Sequence, residues 1–321
     1  MITYNHEKFI AQAIESVLTQ ETDFDYELII GEDCSTDGTR EIVRNYQSRC
    51  PDIIHPLLPE HNIGMLPNLV ATLHACKGEY VALLEGDDYW TSPSKLQKQV
   101  DLMEAAPTCS ICWHPMKCFV EGSDVEHDFP VYPPDSLYGV TARDVMTLDD
   151  LLVYNFLGTC TVVFRNGFLD EIPSWFYDIG VGDWSVHILN AMHGDIRRVD
   201  EIMADHRIHP GGVHGPLSAR KKYISGMSDH LKMRNCLPRR YTKQLNRGIS
   251  AYCHLLSGEY ERSGDIRQAR RYALAELWVS RGHHGQFAHA LEHSLRLSFP
   301  FGYDLARACK RIFTHKRDKH Y

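Results

Sequence analysis

No stretch of this 321-residue chain approaches the roughly 20 consecutive apolar residues that a membrane-spanning helix needs. The amino terminus also lacks a basic segment followed by an apolar core, so no secretory leader is read there. Positive charge is in short supply, with 34 lysines and arginines against 42 aspartates and glutamates, a formal charge of -8. A chain without a net basic field offers little to a polyanion, which argues against nucleic acid as a partner. A disulfide framework is missing too: the ten cysteines are scattered through apparent helices, strands and loops, which suits reduced thiols. These absences point to the cytoplasm. What the chain does have, at 43% hydrophobic and 24% charged, is the material for a sizeable core in one large domain or two smaller ones.

Up to about residue 200, apolar strands alternate with amphipathic helices. Phe9, Ile10, Ala13, Ile14, Val17 and Leu18 trace one helical face, with Asn5 ahead of them as N-cap. "YELIIG" (26–31) reads as a strand, followed by the loop "EDCSTDGT" and a helix from about residue 39. "IIHPLLP" (53–59) predicts a short strand, residues 66–77 a helix, and the apolar run after Gly78 another strand. Ser92 and Pro93 read as N-cap and first position of a helix carrying Leu96, Val100 and Met103. This β-α-β-α order predicts an α/β fold: a mainly parallel sheet with helices on both faces. From about residue 216 the pattern becomes helix after helix, which places a sheet domain at 1–215 and a helical region at 216–321. Residues 249–282 resemble one tetratricopeptide unit, two helices joined at Ser263 to Asp265. Such units bury a continuous core only when about three stack, so we read a helical appendage rather than a peptide-binding repeat.

Two clusters carry possible chemistry. Cys109 and Cys112 form a CxxC with His114 and Cys118 nearby, but "TCSICWHPMKCFV" reads as a strand, in which positions i and i+3 face opposite sides. Buried structural thiols are expected. The other cluster is "EYVALLEGDDYW", residues 79–90, an apolar strand that ends in Glu85, Asp87 and Asp88. Carboxylates packed this closely repel one another unless a cation sits among them, and ligands of open parallel sheets bind at the carboxyl ends of strands. Magnesium and manganese take carboxylate oxygens and leave positions open for substrate phosphates. A fully solvated acidic turn is the competing reading of "EGDD" alone.

The order of several stretches decides between them. "TYNHEKFIAQAIESVLTQ", "YELIIGEDCSTDGT" and "HNIGMLPNLVATLHACKGEYVALLEGDDYWTSPSKLQKQV", with the later "GDW" and "RIHPGG", resemble the inverting family-two glycosyltransferases of GT-A fold over about residues 1–212. The resemblance implies a nucleotide-sugar donor, a Mn2+ or Mg2+ cofactor, and a carbohydrate or lipid-linked acceptor in surface polysaccharide or glycolipid assembly. It implies that Tyr4 packs on the nucleotide base and that Asp33 accepts a hydrogen bond from it, with Glu32 where many relatives have aspartate. It places Asn62, Gly64 and Asn68 toward the donor's ribose or sugar. Asp87 and Asp88 match the metal-binding aspartates, Asp88 as the direct ligand, and Asp183 matches the catalytic base. Arg207 matches a position that pairs with phosphate oxygens, and His209 one that completes the metal's coordination or hydrogen-bonds the diphosphate, with His206 and His214 as competitors. The donor base implied by family frequency is uracil.

Each role has a plainer counterpart: Tyr4 in the core, Asp33 capping a turn, the 62–64 segment a tight turn, and Asp183 an ordinary helix N-cap. Trp90, Trp184 and Tyr89 either shape an acceptor site or sit in the core. The competing function is a catalytically silent sugar-nucleotide-binding or helical-repeat protein, against which Asp33, Asp87, Asp88 and Asp183 occur together. Relatives lead into the "TYN" segment with a full apolar strand, whereas here only Met1 and Ile2 precede it, so either the start lies upstream or that strand is shortened. At the other end, Arg307, Lys310, Arg311, Lys316, Arg317 and Lys319 beside Leu305 and Phe313 suit peripheral contact with an anionic membrane, or a solvated terminus.

Overall fold

The structure is a computed structural model that describes residues 1–124, 126–129, 140, 143–169, 171–212, 218–281 and 284–298. His214 and the basic terminal segment lie outside the described residues. Two compact units are present, Met1–Tyr132 with Val140–Pro216, and Pro133–Gly139 with Leu217–Tyr321.

The first unit begins β1 (Ile2–Thr3), α1 (Ile10–Leu18), β2 (Leu28–Glu32), α2 (Thr39–Arg49), β3 (Ile54–Leu57), α3 (Met65–Ala75) and β4 (Tyr80–Ala82). β1, β2 and β3 pair in parallel, and all five residues of β2 are buried, as a strand covered on both faces must be. A parallel bridge from Ile2 to Glu85 continues the sheet toward β4. The remaining elements are β5 (Tyr89–Trp90), α4 (Lys95–Ala105), β6 (Cys109–Trp113), β7 (Met116–Val120), β8 (Glu126–Phe129), β9 (Val145–Met146), α5 (Leu148–Leu151), β10 (Val163–Arg165), α6 (Gly182–Ala191), β11 (Asp195–Arg198) and β12 (Ala204–Ile208). They complete one sheet in the order β4-β10-β6-β11-β9 and a smaller one in the order β5-β12-β7-β8. Both are mixed: β10 runs antiparallel to β4 and β6, whereas β11 is parallel to β6 and β12 to β7.

Helix α1 shows how pattern becomes packing. Ile10, Ala13, Ile14 and Val17 recur at helical spacing and are all buried, and each isoleucine so buried contributes roughly 1.5–3 kcal/mol. Its start differs from expectation. Asn5 is not the cap, because it takes a left-handed φ of 57° and its side-chain oxygen accepts from the Thr36 amide at 2.8 Å, leaving the helix to begin after Phe9. α4 likewise begins at Lys95 rather than at Pro93, with Ser94 as N-cap.

Cys109 and Cys112 lie in β6, whose five residues are all buried, and burial pushes their thiols up to about 11 and about 12. They are core residues, as the strand pattern predicts. Trp90 and Trp184 are core as well, their indole nitrogens donating to the Cys160 and Leu151 carbonyls at 2.9 and 3.1 Å. Lys95 is fully buried: its Nζ donates to Gln99 Oε1 at 2.7 Å and lies 4.3 Å from the Trp90 ring centre, and burial lowers its pKa to about 7.

The second unit is helical: α7 (Ala219–Cys236), α8 (Thr242–Arg262), α9 (Ile266–Val279) and α10 (His284–Ser298). The α8–α9 turn falls at Ser263 to Asp265. Gly264 supplies a φ of 81° there, and the Asp265 carboxylate caps α9 by accepting from Gln268 N at 3.1 Å. Among the described residues, no helix is long and apolar enough to cross a membrane.

Candidate active site

The acidic knot sits where two sheet regions meet. Gly86 N donates to the Ile2 carbonyl at 2.9 Å, which holds the knot against the end of β1. Only glycine fits there, since a Cβ on Gly86 would come within 2.5 Å of Thr3 Oγ1. Three residues later β5 pairs antiparallel with β12, setting Tyr89 opposite Asp205 and Trp90 opposite Ala204. That pairing brings His206, Arg207 and His209 onto Asp87 and Asp88 from about 120 positions away.

Each carboxylate then meets a different environment. Asp88 is 1% exposed; its Oδ1 accepts from the Arg207 amide at 2.9 Å, and His206 Nδ1 lies 3.0 Å from both its oxygens. Burial opposes a charge on His206, but Asp88, reinforced by Glu85 and Asp87, overcomes it and pushes the imidazole up to about 9. Asp87 Oδ2 lies 3.1 Å from His209 Nε2 and 3.7 Å from His6 Nε2. These three side chains offer ligand atoms all within 4.8 Å of one another, a cluster that could hold a metal ion. His6 stays neutral more readily than an ordinary histidine, because burial lowers its pKa more than Asp87 raises it. Glu85 completes the knot, its pKa raised well above the usual carboxylate range by burial and by repulsion from Asp87, Asp88 and Asp183.

Asp183 therefore lies close enough to the knot to be felt by it. It is the second residue of α6 rather than its N-cap, which is Val181. Asp183 Oδ1 accepts from the Trp184 amide at 2.7 Å, and Oδ2 from Thr159 Oγ1 at 3.3 Å.

The remaining expected residues divide. Tyr4, just past β1, exposes 42% of its surface and is not in the core. Asp33, at the end of β2, is buried, and its carboxylate accepts from the Ile63 and Gly64 amides at 2.7 and 2.9 Å while Asn62 Nδ2 donates to its backbone carbonyl. It thus shapes the 62–64 turn, where Gly64 takes a φ of 91°. Asn68 is turned away from any ligand: it is 3% exposed and its amide donates to the Gly31 carbonyl at 2.8 Å. Arg207 is likewise committed inward, with Nε on the Asp87 carbonyl at 3.0 Å, Nη2 on Gln12 Oε1 at 2.7 Å and Nη1 on the Glu121 carboxylate. Its guanidinium stacks among Phe9, Phe119 and Tyr89, leaving it 7% exposed instead of open to a phosphate. His6 is the residue that sequence reasoning missed; its one signal is its place two positions after Tyr4 at a strand end.

Three known proteins are similar to this chain. The Mycobacterium tuberculosis protein Rv1520 is 32% identical over 287 residues, 89% of this chain and 76% of its own. Staphylococcus aureus TarS 1–349, solved in complex with UDP-GlcNAc, superposes with a TM-score of 0.54 at 16% identity over 92% of this chain and 89% of its own. The mannosyltransferase PcManGT of Pyrobaculum calidifontis, solved with GDP-Man and Mn2+, gives 0.55 at 15% identity over 94% and 86%. At those identities the two structures speak for the fold, which is GT-A. The family model for glycosyl transferase family 2 matches residues 1–168. With the acidic knot and its partners inside or against that span, the chain belongs to glycosyl transferase family 2.

Proposed function

We propose that this glycosyltransferase moves one sugar, with inversion, from a nucleoside diphosphate to an acceptor hydroxyl on a carbohydrate or lipid-linked chain. The observation that carries the reading is the meeting of His6, Asp87 and His209 at the strand ends, with Asp183 close by. Asp87 replaces Asp88 here as the direct metal ligand, because both Asp88 oxygens are already engaged by His206 and the Arg207 amide. Two imidazoles beside one carboxylate suit manganese better than magnesium, which prefers oxygen ligands. PcManGT, which was solved with Mn2+, supports that choice. When bound, the ion would neutralise charge on the departing diphosphate as a Lewis acid.

The chain's own residues supply the rest. Tyr4 presents its ring to the nucleotide base, and Asp33 and Asn62 hold the turn that carries Gly64 beneath the donor. A uridine nucleotide is the favoured donor, in keeping with TarS, which was solved with UDP-GlcNAc. Asp183 takes the acceptor's proton as the hydroxyl oxygen bonds to the anomeric carbon. The bond from that carbon to the phosphate oxygen breaks, and its electron pair leaves with the nucleoside diphosphate. A positioned base of this kind is typically worth 10²- to 10⁴-fold.

Calorimetric titration of UDP and GDP, with and without manganese, tests the reading. The parent should bind one nucleotide in a manganese-dependent way, and Asp87→Ala should lose that dependence while staying folded. Asp88→Ala should instead lose stability, by roughly 1–3 kcal/mol, because it leaves the buried Arg207 amide without its acceptor. Equal manganese-dependent affinity in Asp87→Ala and parent would remove Asp87 from the site.

A further inference from the structure

Three helices of the second unit converge on one buried carboxylate. Glu276 of α9 is 4% exposed at its side chain, and its Oε2 lies 3.0 Å from His293 Nδ1 of α10 and 3.2 Å from His254 Nδ1 of α8. His289 stands one turn before His293 on the same face of α10, its Nδ1 3.7 Å from Glu276 Oε1. The rings form a cage, with the His254 centre 4.6 Å from that of His293 and 4.9 Å from that of His289. Ligand atoms of His254, Glu276 and His293 all lie within 4.8 Å of one another.

We propose that His254, Glu276 and His293, with His289 beside them, form a zinc site that fastens α8, α9 and α10 together. Donor chemistry comes first: imidazole nitrogen with one carboxylate suits zinc, and a tetrahedral ion with bonds of about 2.0–2.1 Å has ligand-to-ligand edges of about 3.3–3.4 Å. From Glu276 Oε2 the His293 and His254 nitrogens stand at 3.0 and 3.2 Å, just under that edge, and His289 Nδ1 stands 3.7 Å from the other oxygen.

Ser257 Oγ donates to the Ala269 carbonyl at 2.8 Å and lies 3.5 Å from His293 Nε2, so the second ring nitrogen of His293 also has a polar neighbour, as the outer shell of a metal ligand does. Access is available, since the side chain of His289 is 46% exposed and that of His254 is 27% exposed, while Glu276 and His293 form the buried floor. Among the described residues, this cluster shares no side chain with His6, Asp87 and His209.

The test uses the full chain stripped by a chelator, with zinc alone as probe. Asp87→Asn serves as background, to silence the first cluster. Equilibrium dialysis with elemental analysis should find one zinc per chain in Asp87→Asn, and zinc should raise its melting temperature. Adding His254→Gln should weaken binding by at least the roughly 10- to 100-fold that loss of an outer-shell partner costs, with helical circular dichroism unchanged. Should His254→Gln fail to fold, cobalt(II) in the Asp87→Asn protein decides, because a tetrahedral nitrogen and oxygen site gives strong visible bands. Absence of zinc uptake by Asp87→Asn, undiminished uptake after His254→Gln, or cobalt without tetrahedral bands would overturn the proposal and leave hydrogen-bonded imidazoles as the partners of Glu276.

Discussion

Asp183→Asn separates catalysis from folding at one atom. The carboxylate has one oxygen on the Trp184 amide at 2.7 Å and the other within reach of Thr159 Oγ1 at 3.3 Å. Asparagine reproduces the first contact with its own oxygen, and the Thr159 hydroxyl can rotate to accept from the new amide. What disappears is a negative charge in the first turn of α6, where the helix dipole favours it by about 0.3–1 kcal/mol. Relief of repulsion with Glu85 offsets part of that loss. Stability should therefore change by less than about 1 kcal/mol, a melting shift of about 2–4 °C at most for a unit of this size. The proton acceptor, by contrast, is gone. Transfer should fall at least about 10²-fold, which is about 2.7 kcal/mol in the transition state, while donor affinity stays near that of the parent. The assay is release of nucleoside diphosphate in the presence of acceptor, run beside calorimetric donor binding and a melting curve. Near-normal transfer with an intact fold would refute the reasoning and send the search for a base elsewhere. A large melting shift would show that Asp183 is structural.

Two further outcomes are expected. Tyr4→Ala removes the exposed ring and should weaken nucleotide binding by about 1–3 kcal/mol, as loss of base stacking on an aromatic does, leaving the melting temperature unchanged; equal affinity would take Tyr4 out of the donor site. Lys95 has a folded pKa of about 7 against 10.5 unfolded, so the unfolded chain binds the extra proton between those values and stability rises with pH across that window, by about 1.4 kcal/mol per unit. Lys95→Met should remove about 2 kcal/mol of the parent's gain between about pH 7.5 and pH 9 in urea unfolding, and parallel pH profiles would contradict a neutral buried amine.

Local pattern settled much of this protein in advance. The spacing of Ile10, Ala13, Ile14 and Val17 announced a helix with one buried face, "YELIIG" a strand, and Ser263 to Asp265 a turn between helices, because each depends on neighbours a few positions away. The order of the motifs likewise pointed to the family. Helix starts were less legible: Asn5 has the chemistry of a cap, but a contact with Thr36 across the strand ends claims its side chain. The roles inside the acidic knot could not be read from the sequence at all. "EGDD" presents three carboxylates of similar intrinsic acidity, and only the pairing of β5 with β12 assigns Asp88 to His206 and Asp87 to His209, partners 118 and 122 residues distant. The same pairing buries Arg207 among Phe9, Tyr89 and Phe119, where its donors are spent on the protein. Periodicity encodes which face of an element is buried; it carries no information about which distant side chain arrives there, and that arrival sets whether a carboxylate is locked, protonated or open to a ligand.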